Sequence, residues 1–188
     1  MTKPQNISLP PNNGDHSLTR VMTTRDLDSL LSLNLGAGSD IHSDMINLDL
    51  RPLPGIDIVH DIKFFWPFPS SRFTSIHANH ILEHCPNLIF QLNQAWRVLK
   101  DQGTLFISVP WWSGTWARGD PEHIRQFDHN SFAPFSTWYA RYAYLGIKGP
   151  WLLHSQDFYT EPDNADPHFF ARFGFSRILS MSVVLKKP

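Results

Sequence analysis

The chain has 188 residues, 41% of them apolar and 18% charged, with a formal net charge of −1. That balance suits one globular domain with a substantial core and excludes a disordered chain. A charge this close to zero creates no global field to recruit nucleic acid or an anionic membrane, so neither is favoured as a partner.

The one cysteine, Cys85, forbids an internal disulfide and fits a reducing compartment. No apolar run approaches a membrane span, and the first residues lack a signal-peptide core. A cytoplasmic protein is therefore expected. Aromatic residues are abundant, with 14 Phe and 7 Trp. They fill a core or wall a pocket, and the core takes most of them.

Residues 1–23 are expected to be a flexible arm, polar and rich in proline and asparagine, ahead of a single domain over 24–188. Thr24 is placed to cap a short helix running to Leu31. Leu31, Leu33 and Leu35 then alternate into the turn Gly36-Ala37-Gly38. Met45, Ile46 and Leu48 form the next apolar run, with Asp49 at its end. Only a short crossover separates the two. Glycines without a Cβ let backbone approach a ligand closely, and an acid at the neighbouring strand's tip can accept from both ribose hydroxyls.

Residues 56–61 (IDIVHD) read as a third strand ending in an acid, Asp61. A proline-punctuated loop follows, then a strand from Phe73 to Asn79. The span His80–Leu99 has helical spacing, with the helix proper beginning near Pro86 and stopped by Gly103. Thr104 to Val109 is a fifth strand. Ser131–Leu145 reads as a helix, Trp151–Tyr159 as a strand, Asp166–Phe173 as a short helix and Phe175–Lys187 as a final strand. Strands alternating with crossovers imply an α/β fold with a mostly parallel sheet. Ligands in such sheets bind beyond the carboxyl ends of the strands, where Gly36, Asp49, Asp61 and Asn79 fall.

Four blocks, LNLGAGSD, INLDLRPLPGIDIVHDI, WPFPSSRFTSIHANHILEH and AWRVLKDQG followed by TLFISVP, resemble the class I (Rossmann-like) S-adenosylmethionine-dependent methyltransferases. The type is small and single-domain, with a shortened first crossover. The resemblance implies a Rossmann-like, mostly parallel sheet with one antiparallel C-terminal strand inserted into it. It implies S-adenosylmethionine as cofactor. Gly36, Ala37 and Gly38 would pass under its methionine part. Asp49 would hold the ribose, with Leu50 beside the adenine. Asp61 and Ile62 would meet the adenine edge. Asn79 and His80 would lie near the sulfonium.

The acceptor site is expected between the His77–His84 turn and the Trp111–Arg125 loop. His84 and His123 are the candidate catalytic residues. A neutral imidazole there can take the proton of a hydroxyl or amine nucleophile, or else tie down its loop. Trp111 and Trp112 can stack on an acceptor or roof the core, and Arg125 can hold an anionic acceptor or pair with Glu122. The small size implies that either a small-molecule acceptor, the favoured partner, or else a partner subunit or homodimer completes the site.

Two other readings stand beside this one. A shortened crossover also suits a catalytically inactive subunit or scaffold of the same fold. And His80-Ile81-Leu82-Glu83-His84 matches H-x-x-E-H, a zinc-hydrolase pattern if both histidines share one helix face. No metal is assigned from the sequence.

Overall fold

Leu33 and Leu35 point to one side of their strand and Asn34 to the other, and this alternation sets the two faces of the sheet. The computed structural model describes residues 19–160 and 178–188. Its strands are β1 (Arg20–Val21), β2 (Ser32–Leu35), β3 (Ile46–Asp49), β4 (Ile58–Val59), β5 (Phe73–Asn79), β6 (Leu99–Pro110), β7 (Leu152–Thr160) and β8 (Ile178–Lys186). They form one sheet in the order β1-β4-β3-β2-β5-β6-β8-β7. The central strands β4, β3, β2, β5 and β6 pair in parallel. The last strand, β8, runs antiparallel between β6 and β7, as the resemblance implied. A third antiparallel pairing was not foreseen. Arg20–Val21, read as part of the arm, pair with β4 at the far edge.

Register places Leu33 beside Ile46 and Leu35 beside Leu48. Ile76, Leu105, Ile107, Val183 and Leu185 continue the apolar face, all buried. The helix α1 (Leu88–Val98) belongs to the same core through Leu88, Leu92, Ala95 and Val98. Each of the Leu and Val side chains contributes about 1.5–3 kcal/mol on burial. Asn87 caps α1, its side chain accepting from the Phe90 N–H at 2.9 Å. Trp66 lies beneath, donating its indole N–H to Ile62 O and Gln91 Oε1.

The other face is polar. Ser32 Oγ accepts from Ser75 Oγ–H at 2.8 Å, and Asn34 pairs with Asn47 in register. No helix crosses between β2 and β3. Instead, buried Asn34 donates to Asp40 O at 2.6 Å and Asn47 Oδ1 at 3.1 Å, and Asn47 donates to His42 O at 2.8 Å. The Asn47 N–H reaches Asp57 Oδ2 at 2.9 Å, and Arg25 pairs with the same carboxylate at 3.2 Å. Side-chain hydrogen bonds thus hold the crossover that a helix would otherwise hold.

Several expected elements differ. Thr24–Leu31 is turn rather than helix, because Asp26 Oδ1 accepts from the Asp28 N–H and Thr23 Oγ1 from Arg25 N–H. The third strand shrinks to two residues: Gly55 turns at φ +86°, and buried Asp57 is committed to Asn47 and Arg25. Residues 131–145 break into the single turns Ala133–Phe135, Tyr139–Tyr142 and Ala143–Leu145. Pro134 lies in the first of these turns, and Ser131 bonds Asp128 rather than capping a helix. After α1 the left-handed residue is Gln102, at φ +65°, not Gly103. Gly103 is needed for space, since a Cβ there would sit 2.7 Å from Lys100 O. The expected helix Asp166–Phe173 lies outside the described residues.

Candidate functional site

The carboxyl ends of β2, β3 and β4 open into a cleft of about 740 Å³, within the range of small-molecule sites. Gly36 forms its floor at φ +70°, where a Cβ would meet the Ile81 side chain at 2.6–2.9 Å. Its N–H and that of Ala37 both donate to Leu48 O, at 2.8 and 2.9 Å, locking the turn to β3. Gly38, at φ +53°, faces open space. The nearest atom to a Cβ there is Arg51 Nη2 at 3.8 Å. Buried Ala37 does not line the cleft, whereas Gly36 and Gly38 do.

Asp49 ends β3 nearly buried, at 7% exposure. Its Oδ2 accepts from the Gly38 N–H at 2.8 Å, and Oδ1 from the Arg51 N–H at 2.8 Å and Nε–H at 3.4 Å. An ionised carboxylate offers about four acceptor positions, so it retains capacity toward the cleft. Leu50 beside it is 58% exposed and lines the cleft as an apolar platform. Asp61 also lines it. Its Oδ1 accepts from the Lys63 N–H at 2.9 Å, so this acid caps its own turn. The Ile62 carbonyl is committed to Trp66 and Gln91.

His80 stands in the left-handed region at φ +50°. That conformation separates neighbours. Asn79 falls on the polar face, in a shallow depression with Asn34, His42 and His77, while His80 lines the main cleft. It also removes the helix-face zinc pattern, because only Leu82–His84 are helical, as one 3-10 turn.

The loop Asp120–Arg125 docks on that turn: the N–H groups of Ile124 and Arg125 both donate to Glu83 O, at 3.0 and 3.1 Å. His123 is thereby brought beside His84, with ring centroids 4.7 Å apart and edge to face. His84 Nδ1 donates to Glu122 O at 3.2 Å, leaving Nε2 as the acceptor of the neutral ring. Glu83 is 1% exposed, with Oε1 3.3 Å from His80 Nδ1 and 3.9 Å from His123 Nε2. Glu83 Oε2 and His123 Nδ1 are buried without a hydrogen-bond partner.

Trp111 and Trp112 do not line this cleft. Trp111 packs edge-on against Phe158, at 5.3 Å, and its backbone N–H donates to Leu179 O. Trp112 is 42% exposed beneath the Arg118 guanidinium. Arg125 donates to Pro86 O at 3.1 Å, bracing the turn rather than pairing with Glu122. The sequence reading passed over Arg51, His60, Ile81 and Glu122, which also line the cleft. Arg51 had a signal, standing two residues after the strand-end acid. Glu122 had none until the loop folded back.

A glycine turn under an open cleft and an acid at the next strand's tip define a nucleoside-binding α/β protein. Residues 16–159 match the family model described as Methyltransferase domain, and the chain belongs to that family. Its cofactor is S-adenosylmethionine.

Solved structures agree on the fold. A chain from the complex of the Haloferax volcanii Trm112 methyltransferase activator with a methyltransferase is 15% identical, with a TM-score of 0.58, over 84% of this chain and 82% of that one. An S-adenosylmethionine-dependent methyltransferase from Archaeoglobus fulgidus is 13% identical at TM-score 0.55, over 86% and 88%. A methyltransferase from Bacillus halodurans is 13% identical at TM-score 0.57, over 84% and 92%. No curated protein matches the chain. Among the described residues, no helix is long and apolar enough to cross a membrane.

Proposed function

We propose that this protein transfers a methyl group from S-adenosylmethionine to an oxygen or nitrogen of a small-molecule acceptor. The observation that carries the reading is Asp49, held across the Gly38 N–H with acceptor capacity left toward the cleft. Gly38 leaves the backbone open for the cofactor's methionine part, and exposed Leu50 offers a flat apolar contact for adenine. The bound cofactor supplies an electrophilic methyl on a sulfonium. The chain's contribution is position: it holds the acceptor's nucleophile in line with that methyl.

The acceptor's end of the cleft is the stretch from His80 and His84 to Glu122 and Ile124. His84, which lines the cleft, is the group through which the acceptor's proton departs as the new C–O or C–N bond forms, with the His123 side chain buried beside it. The S–CH₃ bonding pair returns to sulfur. Arg125 braces the loop that closes this end through Pro86 O, and Trp111 and Trp112 stand outside the cleft. A partner subunit is consistent with the fold, since one similar structure is a complex with an activator. The single cysteine and modest charge suit a cytoplasmic protein.

Asp49→Ala tests the reading. Calorimetric titration with S-adenosylhomocysteine is expected to show binding weakened about 10- to 100-fold, the loss of one or two charge-assisted hydrogen bonds. Unchanged affinity sinks the ribose assignment. No binding by the well-folded parent chain favours a scaffold instead.

A further inference from the structure

The turn after β5 and the loop that docks on it bring together groups that are adjacent in neither sequence nor element. One ligand atom from each of Glu83, His84 and His123 lies within 4.8 Å of the others. We propose that these three residues bind a divalent transition ion of the zinc class at the acceptor's end of the cleft. This deepens the methyl-transfer reading, because the ion would face the acceptor's oxygen or nitrogen. Ion binding itself requires neither cofactor nor acceptor.

Four observations carry it. The first is spacing. His123 Nε2 is 3.9 Å from Glu83 Oε1 and 3.7 Å from Asp120 Oδ2. Both are too long for hydrogen bonds. Neighbouring ligands around a tetrahedral zinc stand about 3.3 Å apart, so ligand atoms that lie within 4.8 Å of one another close on an ion by up to about 1.5 Å. The second is the pair of orphans. Glu83 Oε2 and His123 Nδ1 are buried without partners. An unpaired buried polar atom costs about 1–3 kcal/mol, more for a charged group, and an ion in the cluster relieves this cost for a ligating atom.

The third is support around the ligands. Metal-binding imidazoles characteristically donate their second N–H to a carbonyl or carboxylate, and His84 Nδ1 donates to Glu122 O. His80 Nδ1 likewise touches the Glu83 carboxylate at 3.3 Å. The fourth is the donor set. Two imidazoles and one carboxylate suit zinc, with a fourth position open to solvent or substrate. His84 and Glu122 line the cleft, so that position faces it. With the ion bound, His84 and His123 act as its ligands in place of proton acceptors, and an acceptor hydroxyl at the open position would be acidified by the ion and attack as the anion, its proton passing to water.

The full chain, stripped with chelator and dialysed, is titrated with Co²⁺ while the ligand-field absorption is followed, and with Zn²⁺ by calorimetry. One equivalent with a tetrahedral cobalt spectrum is expected. Glu83→Gln and His84→Ala are expected to weaken binding at least about tenfold. His154→Ala, an exposed histidine elsewhere, should leave it unchanged. Glu83 is buried and its replacement can unfold the chain, so the half-buried His84 provides the second variant. Circular dichroism confirms folding in each. S-adenosylhomocysteine binding, measured on the same samples, reports separately on the cofactor site. A cobalt spectrum that never develops, or that persists at full affinity in His84→Ala, overturns the proposal in favour of a hydrogen-bonded histidine pair.

Discussion

Gly36 and Asp49 show how few atoms define the cofactor end of the cleft. At Gly36 two constraints coincide, a φ of +70° and the Ile81 side chain where a Cβ would be. A methyl group there must both strain the backbone and push Ile81 aside. Gly36→Ala is therefore expected to cost at least about 2 kcal/mol, read as a lower denaturant midpoint. Gly38→Ala meets only the left-handed strain, since the space above it is open, and is expected to cost less. The two glycines look equivalent in the sequence because backbone torsion and neighbouring side chains are not written there. Asp49's place at the tip of β3 was legible, because the apolar run that marks the strand stops there. Trp111 was not. Its place depended on Phe158, 47 residues further along the chain, within a strand the sequence did mark.

At the level of elements, the crossover between β2 and β3 does without a helix because Asn34 and Asn47 hold it. Asn47 is fully buried, and its side chain donates to His42 O and Asp57 Oδ2 while Oδ1 accepts from the His42 N–H and Asn34 Nδ2–H. Asn47→Ala strips these bonds and leaves buried partners unsatisfied. A loss of about 1–3 kcal/mol is expected, measured by urea unfolding, with the midpoint moving and the slope unchanged. The apolar periods of β2, β3 and α1 announced those elements. The turn at Thr23–Asp28 and the broken segment 131–145 were misread because short polar side chains captured backbone groups that a helix would have used.

Across the whole molecule, one sheet face carries the core with α1 and the other is polar. Histidines half-buried or buried in this framework couple its stability to pH. His60 lies buried at the cleft, and desolvation lowers its pKa below the ordinary 6.5. His77, on the polar face, is lowered first by burial and then by nearby His42. The unfolded chain therefore takes up these protons first as pH falls. Stability is full above about pH 6.5 and declines below it, toward the folded pKa values. The melting temperature is expected to drop between about pH 7.5 and pH 5.5, and His60→Asn should flatten part of that slope. A profile unchanged by the substitution would assign the slope to other groups.

The antiparallel last strand came from the family resemblance, while local patterns were enough to establish the α/β class and the strand-end positions of Gly36, Asp49 and Asp61. Each depends on alternation, turn chemistry or chain order, which act over a few residues. Only the tertiary structure decided the acceptor end. Glu83 O tethers the Asp120–Arg125 loop, and that tether sets His123 against His84 across some forty residues of sequence. Packing between distant segments determines such a contact, and the spacing of residues along the chain does not encode it.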